Sequence, residues 1–127
     1  MVINLIAVDD ELDAKILFEH FFRNEVEEGS VILRFVQSGR ACMKLLLEEE
    51  RANSLVVTDI NMPDMSGIEL AEKINQECPD VKVFLISAYE AGSQRDRIKH
   101  LNVSEYIAKP VDFDELKQKV FQQFSEA

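Results

Sequence analysis

Basic residues are in short supply. Fourteen lysines and arginines stand against 24 aspartates and glutamates, leaving a formal net charge of −10 over 127 residues. A sequence-independent grip on nucleic acid needs enough Lys and Arg to neutralise phosphates, so direct nucleic-acid binding is not expected. Cysteine is scarce too: Cys42 and Cys78 are the only two, far apart and without metal-ligand spacing. Free thiols, buried or half-buried, are the expectation, in keeping with a reducing cytoplasm. There is no run of about 18 apolar residues, so no membrane-spanning helix is expected. The apolar start lacks the basic stretch that precedes the core of a secretory signal. No internal repeat or low-complexity tract is visible.

What is present suffices for a core. Hydrophobic residues make up 46% of the chain, and residues 1–127 read as a single domain with no output domain inside it. The stretch that organises the rest is Leu55-Val56-Val57-Thr58-Asp59-Ile60-Asn61-Met62-Pro63-Asp64-Met65-Ser66-Gly67. Leu55 to Thr58 are apolar or β-branched, which suits a strand buried on both faces. Asp59 would end that strand, and a Pro/Ser/Gly-rich turn follows. Taken alone, Asp59 reads equally well as an ordinary turn residue.

Residues 2–8 read as a first strand, ending at Asp9-Asp10-Glu11. Ala14, Leu17, Phe18 and Phe21 form a helical stripe that Gly29 closes. Residues 31–36 are a second strand carrying Arg34, broken at Gly39. Ala41, Leu45 and Leu46 mark the next helix. After the strand ending at Asp59, Leu70, Ala71 and Ile74 mark a third, which stops before Pro79. Residues 81–86 are a fourth strand reaching Ser87, and residues 91–101 a weakly amphipathic fourth helix. Residues 103–108 are a fifth strand, carrying Glu105 and ended by Lys109-Pro110. Asp112 with Glu115 suggests a capping box ahead of a last helix that buries Phe113, Leu116, Val120 and Phe124. Such alternation calls for a parallel sheet covered on both faces. The apolar first, third and fourth strands belong in the middle and the charged second and fifth at the edges. That fits the order 2-1-3-4-5.

A parallel sheet delivers all its strand ends to one rim. Here that rim would collect Asp9 and Asp10, Asp59, Ser87 and Lys109. Crowded carboxylates repel each other, and a hard divalent cation such as Mg²⁺ relieves the repulsion. Lys109 can pair with Asp59 or with an incoming oxyanion. These are parts for phosphoryl transfer to a carboxylate, with Asp59 as nucleophile. The bland readings are local: Asp9 or Asp10 capping the first helix, Ser87 in a turn, Lys109 in water. His20 and His100 read as surface residues, and Met62 and Met65 as loop packing.

The full pattern is the acidic pair Asp9-Asp10, then Asp59 in Asp-Ile-Asn-Met-Pro-Asp-Met-Ser-Gly, then Ser87-Ala88, then Lys109-Pro110. In order and spacing it resembles the response-regulator receiver domain of two-component signalling, of the chemotaxis-regulator type. The resemblance covers essentially the whole chain. It implies a flavodoxin-like, doubly wound α/β sandwich of five β-α units. It implies that Asp59 accepts a phosphoryl group from a histidine kinase or a histidine phosphotransfer protein. Asp10, Asp59 and the backbone carbonyl of Asn61 would ligate Mg²⁺, with Asp9 acting through a water. Ser87 and Lys109 would contact the phosphoryl group, and the Lys109–Pro110 peptide would be cis. Tyr106 matches the family's aromatic switch position, although an aromatic in an edge strand also reads as packing. Asn61 and Tyr89 match positions that tune phosphoryl lifetime. Serine at 87 replaces the family's commoner threonine and keeps the hydroxyl.

The implied output is a change in the face formed by the fourth helix, fifth strand and last helix, read by a target protein or an output domain. A homodimer on phosphorylation is a further implication. The domain would catalyse only its own phosphorylation and dephosphorylation. Two other classes fit less well. A phosphohydrolase using an aspartyl phosphate wants an acid two residues after the nucleophile, where this chain has Asn61. A flavodoxin-like small-molecule binder wants a Gly/Ser/Thr-rich loop after the first strand, where Asp9-Asp10-Glu11 would repel phosphate. A receiver-shaped interaction module that is never phosphorylated is the remaining alternative.

Overall fold

The computed structural model describes residues 1–49, 52–88 and 99–125. Five strands form one parallel sheet in the order β2-β1-β3-β4-β5: β1 (Ile3–Val8), β2 (Val31–Val36), β3 (Ser54–Asp59), β4 (Lys82–Ser87) and β5 (Glu105–Ala108). The described helices are α1 (Leu12–Phe21), α2 (Arg23–Glu28), α3 (Gly39–Glu48), α4 (Gly67–Glu77) and, last, α5 (Phe113–Gln122). Alternate residues of the central strands feed two cores. Ile6, Val8, Val56, Val83 and Leu85 pack towards α3 and α4. Ile3, Leu5, Ala7, Leu55, Val57, Phe84 and Ile86 pack towards α1 and α5. All six residues of β3 are buried, the signature of a strand covered on both faces. The edge strands hold their charges in ion pairs, Arg34 with Glu49 at 2.7 Å and Lys119 with Glu105 at 3.6 Å.

Local signals end the elements where the sequence places them. Gly29 adopts φ +83° after α2, a left-handed helix stop natural to glycine. Asp112 Oδ1 accepts the Glu115 N–H at 3.1 Å and caps α5. The Glu115 carboxylate pairs with Lys119 at 3.1 Å. α4 stops at Glu77, short of Pro79.

Several expectations are corrected. The first helix is not one rod: it breaks at Phe22 into α1 and α2. Phe22 is completely buried, whereas Leu17, expected on the buried stripe, is 45% exposed. Phe18 and Phe22 stack at 6.2 Å between centroids, so the inward face is set one residue further along than the stripe suggests. In α3 the buried set is Gly39, Cys42, Met43 and Leu46, with Ala41 and Leu45 only half-buried. β5 begins at Glu105 rather than at residue 103. Gly39 opens α3 instead of merely breaking the strand before it. Both cysteines are buried and neither forms a disulfide. His20 and His100 are exposed. Residues 89–98, which hold Tyr89 and most of the expected fourth helix, lie outside the described residues.

Candidate functional site

Parallel register brings the polar strand ends together. Val8 pairs with Thr58, so Asp9 follows at the level of Asp59. Asp59 pairs with Ile86, and Ser87 with Ala108, so Ser87 and Lys109 each stand one step further along the same rim. The Lys109 N–H donates to the Ser87 carbonyl at 2.9 Å, extending the β4–β5 ladder, and the Lys109–Pro110 peptide is cis.

Asp59 is the buried centre, 5% exposed. Its Oδ1 accepts the Asn61 N–H at 3.0 Å, and its Oδ2 accepts Lys109 Nζ at 2.5 Å. A buried carboxylate needs such partners, because stripping its hydration without compensation costs several kcal/mol. The hydrogen bond to Asp59 holds the Lys109 ammonium above the usual lysine range, against a smaller opposing effect of burial.

The two acids after β1 differ. Asp9 Oδ1 accepts the Glu11 N–H at 2.9 Å. Burial pushes the Asp9 carboxyl up, the charges of Asp59 and Asp10 add to this, and the Glu11 N–H and Lys109 oppose it. Asp10 is exposed, and its backbone carbonyl accepts Gln37 Nε2 at 3.4 Å. Neither acid caps α1, whose N-cap is Glu11 with no side-chain cap hydrogen bond; the capping reading is overturned. Ser87 is half-buried at the end of β4. Tyr106 is 45% exposed on the outer edge strand, not packed into the core.

The loop after Asp59 is tightly built. The Ile60 N–H donates to Ile86 O at 2.9 Å and the Gly67 N–H to Ile60 O at 2.9 Å. The Met65 N–H donates to Pro63 O at 2.8 Å across Asp64, which has φ +68°. This is a γ-turn of the strained, positive-φ kind. Thr58 Oγ1 contacts Met62 Sδ at 3.9 Å, and Met62 and Met65 both pack on the α3–α4 core. A sequence reading reaches loop packing for these methionines. It does not reach Thr58 as the partner of Met62, because the contact depends on how the loop after Asp59 folds back.

The donor types at this rim are hard oxygens: Asp59 with the Asn61 backbone beside it, the half-buried Asp9 carboxylate whose charge interacts with that of Asp59, and the exposed Asp10 next along the chain. Among the described residues no three His, Cys, Asp or Glu side chains form a ready-made metal cluster. The set fits Mg²⁺ nonetheless, since that ion takes one or two carboxylates and keeps several waters. Burial is the first cause of the raised Asp9 carboxyl, and the charges of Asp59 and Asp10 add to it; that added repulsion is what a cation relieves. Beside the Asp59–Lys109 pair, an open groove of about 860 Å³ runs between α1 and the β5–α5 connection. Phe21 and Phe113 stack in it at 4.7 Å, and Asp13, Asp112 and Asp114 line its edge.

Comparison with known proteins agrees with this arrangement. Residues 5–121 match the response regulator receiver domain family. The chain is similar to the transcriptional regulatory protein TctD of Salmonella typhimurium, 32% identical over 103 residues. That match takes in 80% of this chain and 44% of TctD, so the chain spans less than half the length of that relative. It is 25% identical to sporulation initiation phosphotransferase F of Bacillus subtilis over 116 residues, 91% of this chain and 89% of that protein. Among solved structures, the Thermotoga maritima response regulator TrrA in complex with Mg²⁺-BeF superposes with a TM-score of 0.76 at 30% identity. That superposition covers 95% of this chain and 98% of TrrA. The parallel 2-1-3-4-5 sheet, the acidic rim and the sequence match converge on one conclusion: this chain belongs to the response regulator receiver domain family.

Proposed function

We propose that the chain is a phosphorylation-activated signalling switch in which Asp59 accepts a phosphoryl group from a phosphohistidine. The observation that carries this reading is the pairing of buried Asp59 with Lys109 at the carboxyl rim of the sheet. An Asp59 oxygen attacks phosphorus, the P–N bond to the donor imidazole breaks, and the imidazole leaves with the bond's electron pair. Lys109, already charged and in place, moves from Asp59 to the phosphoryl oxygens. The Ser87 hydroxyl hydrogen-bonds the transferred group. Asp10, Asp59 and the Asn61 carbonyl would hold Mg²⁺, with Asp9 acting through a water, and the ion would supply charge neutralisation.

The donor is a sensor histidine kinase or a histidine phosphotransfer protein. The groove between α1 and the β5–α5 connection is apolar, acid-edged and adjacent to Asp59, which suits a donor helix carrying apolar and basic residues. The transferred group draws Ser87 towards it, and Tyr106 turns inward from its exposed position. That changes the face that β5 and α5 help to form, which a target protein or output domain reads; a homodimer through this face is part of the same reading. Asn61 and Tyr89 set the phosphoryl lifetime. The chain works in the cytoplasm and turns over no metabolite.

The test is intact mass after incubation with acetyl phosphate and Mg²⁺, compared with EDTA and with Asp59→Asn. The expected result is a gain of one phosphoryl group that needs both metal and Asp59. A wild-type chain that neither gains mass nor binds Mg²⁺ in a titration overturns the reading.

A further inference from the structure

We infer that Met65, seated on the bare Cα of Gly39, is a positioning residue for the loop that carries Asn61. This deepens the function proposed above and rests on that reading of Asp59 and Asn61. Residues held in a strained backbone region persist only when their surroundings over-determine them. Asp64 is such a residue, at φ +68° inside a three-residue turn, and Asn61 and Asp59 lie just upstream. The turn is pinned on both sides by thioethers. Met62 Sδ meets the buried Thr58 hydroxyl at 3.9 Å. Met65 lies along Gly39, the first residue of α3. A methyl group on Gly39 would stand 2.6 Å from Met65 Sδ, 3.2 Å from Cγ and 3.4 Å from Cβ. Three successive atoms of Met65 therefore line the space that a Cβ at 39 would enter.

Gly39 has no positive φ to justify it. The seat for Met65 is the reason it is there. Through that seat the start of α3 sets the position of the loop, and with it the Asn61 backbone beside Asp59, where the Asn61 N–H already meets Asp59 Oδ1 at 3.0 Å. Met65 touches neither substrate nor metal. It acts through the loop.

The experiment is a double-mutant cycle on the full chain with Gly39→Ala, Met65→Ala and the pair. Three readouts are taken: Mg²⁺ affinity by calorimetry, exchange of the Met65 and Gly67 amide protons, and Tm. Each single variant is expected to lose ~10-fold in Mg²⁺ affinity, the scale of groups that orient metal ligands. Both amides should exchange faster in each. The diagnostic result is non-additivity. Gly39→Ala should cost affinity in the wild-type background, cost none in the Met65→Ala background, and raise Tm there, because alanine then only favours the helix. Single variants that lower Tm but leave Mg²⁺ affinity and amide exchange unchanged would reduce the contact to ordinary packing and overturn the inference. Additive losses would overturn it as well. Should the wild-type chain bind no Mg²⁺, the reading of the site fails first. The lock is then judged by amide exchange alone, and unchanged exchange in both singles overturns it too. Met65→Leu, which refills most of the seat, is expected to recover most of the affinity.

Discussion

Lys109 Nζ and Asp59 Oδ2 lie 2.5 Å apart, joining residues from the ends of two strands that are not neighbours in the sheet. β4 lies between them and contributes the Ser87 carbonyl that holds the Lys109 backbone. The aspartate side chain is 6% exposed and the lysine side chain 40%, so the pair has a dry end and a wet end.

That asymmetry sets the cost of removing the cation. Lys109→Met leaves Asp59 buried without its counter-charge. The loss is expected at ~1–2 kcal/mol, below the full value for a buried pair because the lysine end is half in water. It should appear as a lower urea midpoint at an unchanged slope. Saturating Mg²⁺ should restore much of it by supplying the missing positive charge. An unchanged midpoint without Mg²⁺ would mean that Asp59 needs no cation.

Asp9 makes the opposite prediction. Its carboxyl is raised by burial first and then by the charges of Asp59 and Asp10. An acid pushed up in the folded state is destabilising when ionised. Asp9→Asn should therefore raise Tm in EDTA at neutral pH, by a small amount because water screens the partly exposed carboxylate. With Mg²⁺ present the advantage should shrink or reverse. A lower Tm in EDTA would show that the hydrogen bond from Glu11 outweighs the crowding.

Gly67 lets α4 start against the end of β3. A Cβ there would fall on the Asp59 carbonyl oxygen and stand 2.9 Å from Ile60 Cα. These are backbone atoms, and they cannot swing aside as a side-chain tip can. Gly67→Ala should cost ~2–3 kcal/mol of stability by overpacking. Chemical denaturation reads this directly, and a loss under half a kcal/mol would mean that the helix shifts freely.

The two thiols should be inert in the native state. Cys42 is fully buried and its thiol is pushed up to about 12, by burial first and by Cys78 second. Iodoacetamide at pH 8 should add nothing to the folded chain and two adducts in urea, read by intact mass. The proton-linked contribution follows in sign. The folded thiol holds its proton more tightly than the unfolded one, so this stability is complete below the unfolded value of 9.0 and is lost as pH rises towards about 12. Rapid native alkylation would show that the α3–α4 core opens.

Much of this protein is decided by local pattern. Apolar runs and turn residues identify β1 to β5 and their order, because burial on both faces leaves a continuous hydrophobic run and an edge tolerates Arg34 or Glu105. Asp112, Gly29 and Pro79 mark helix ends through backbone chemistry that needs no distant partner. The acids, Ser87 and Lys109 are legible as rim residues because a parallel sheet sends every strand end to one side. Tertiary structure decided the rest. It turned Phe22 inward to stack on Phe18 and left Leu17 in water, since the core accepts the Phe18–Phe22 face of the helix. It set Lys109 on Asp59, where charge alone left an incoming oxyanion equally possible. It put Met65 on Gly39. Those choices depend on which side chains fill a given space and which buried charge must find a partner, and neither is written in any short stretch of sequence.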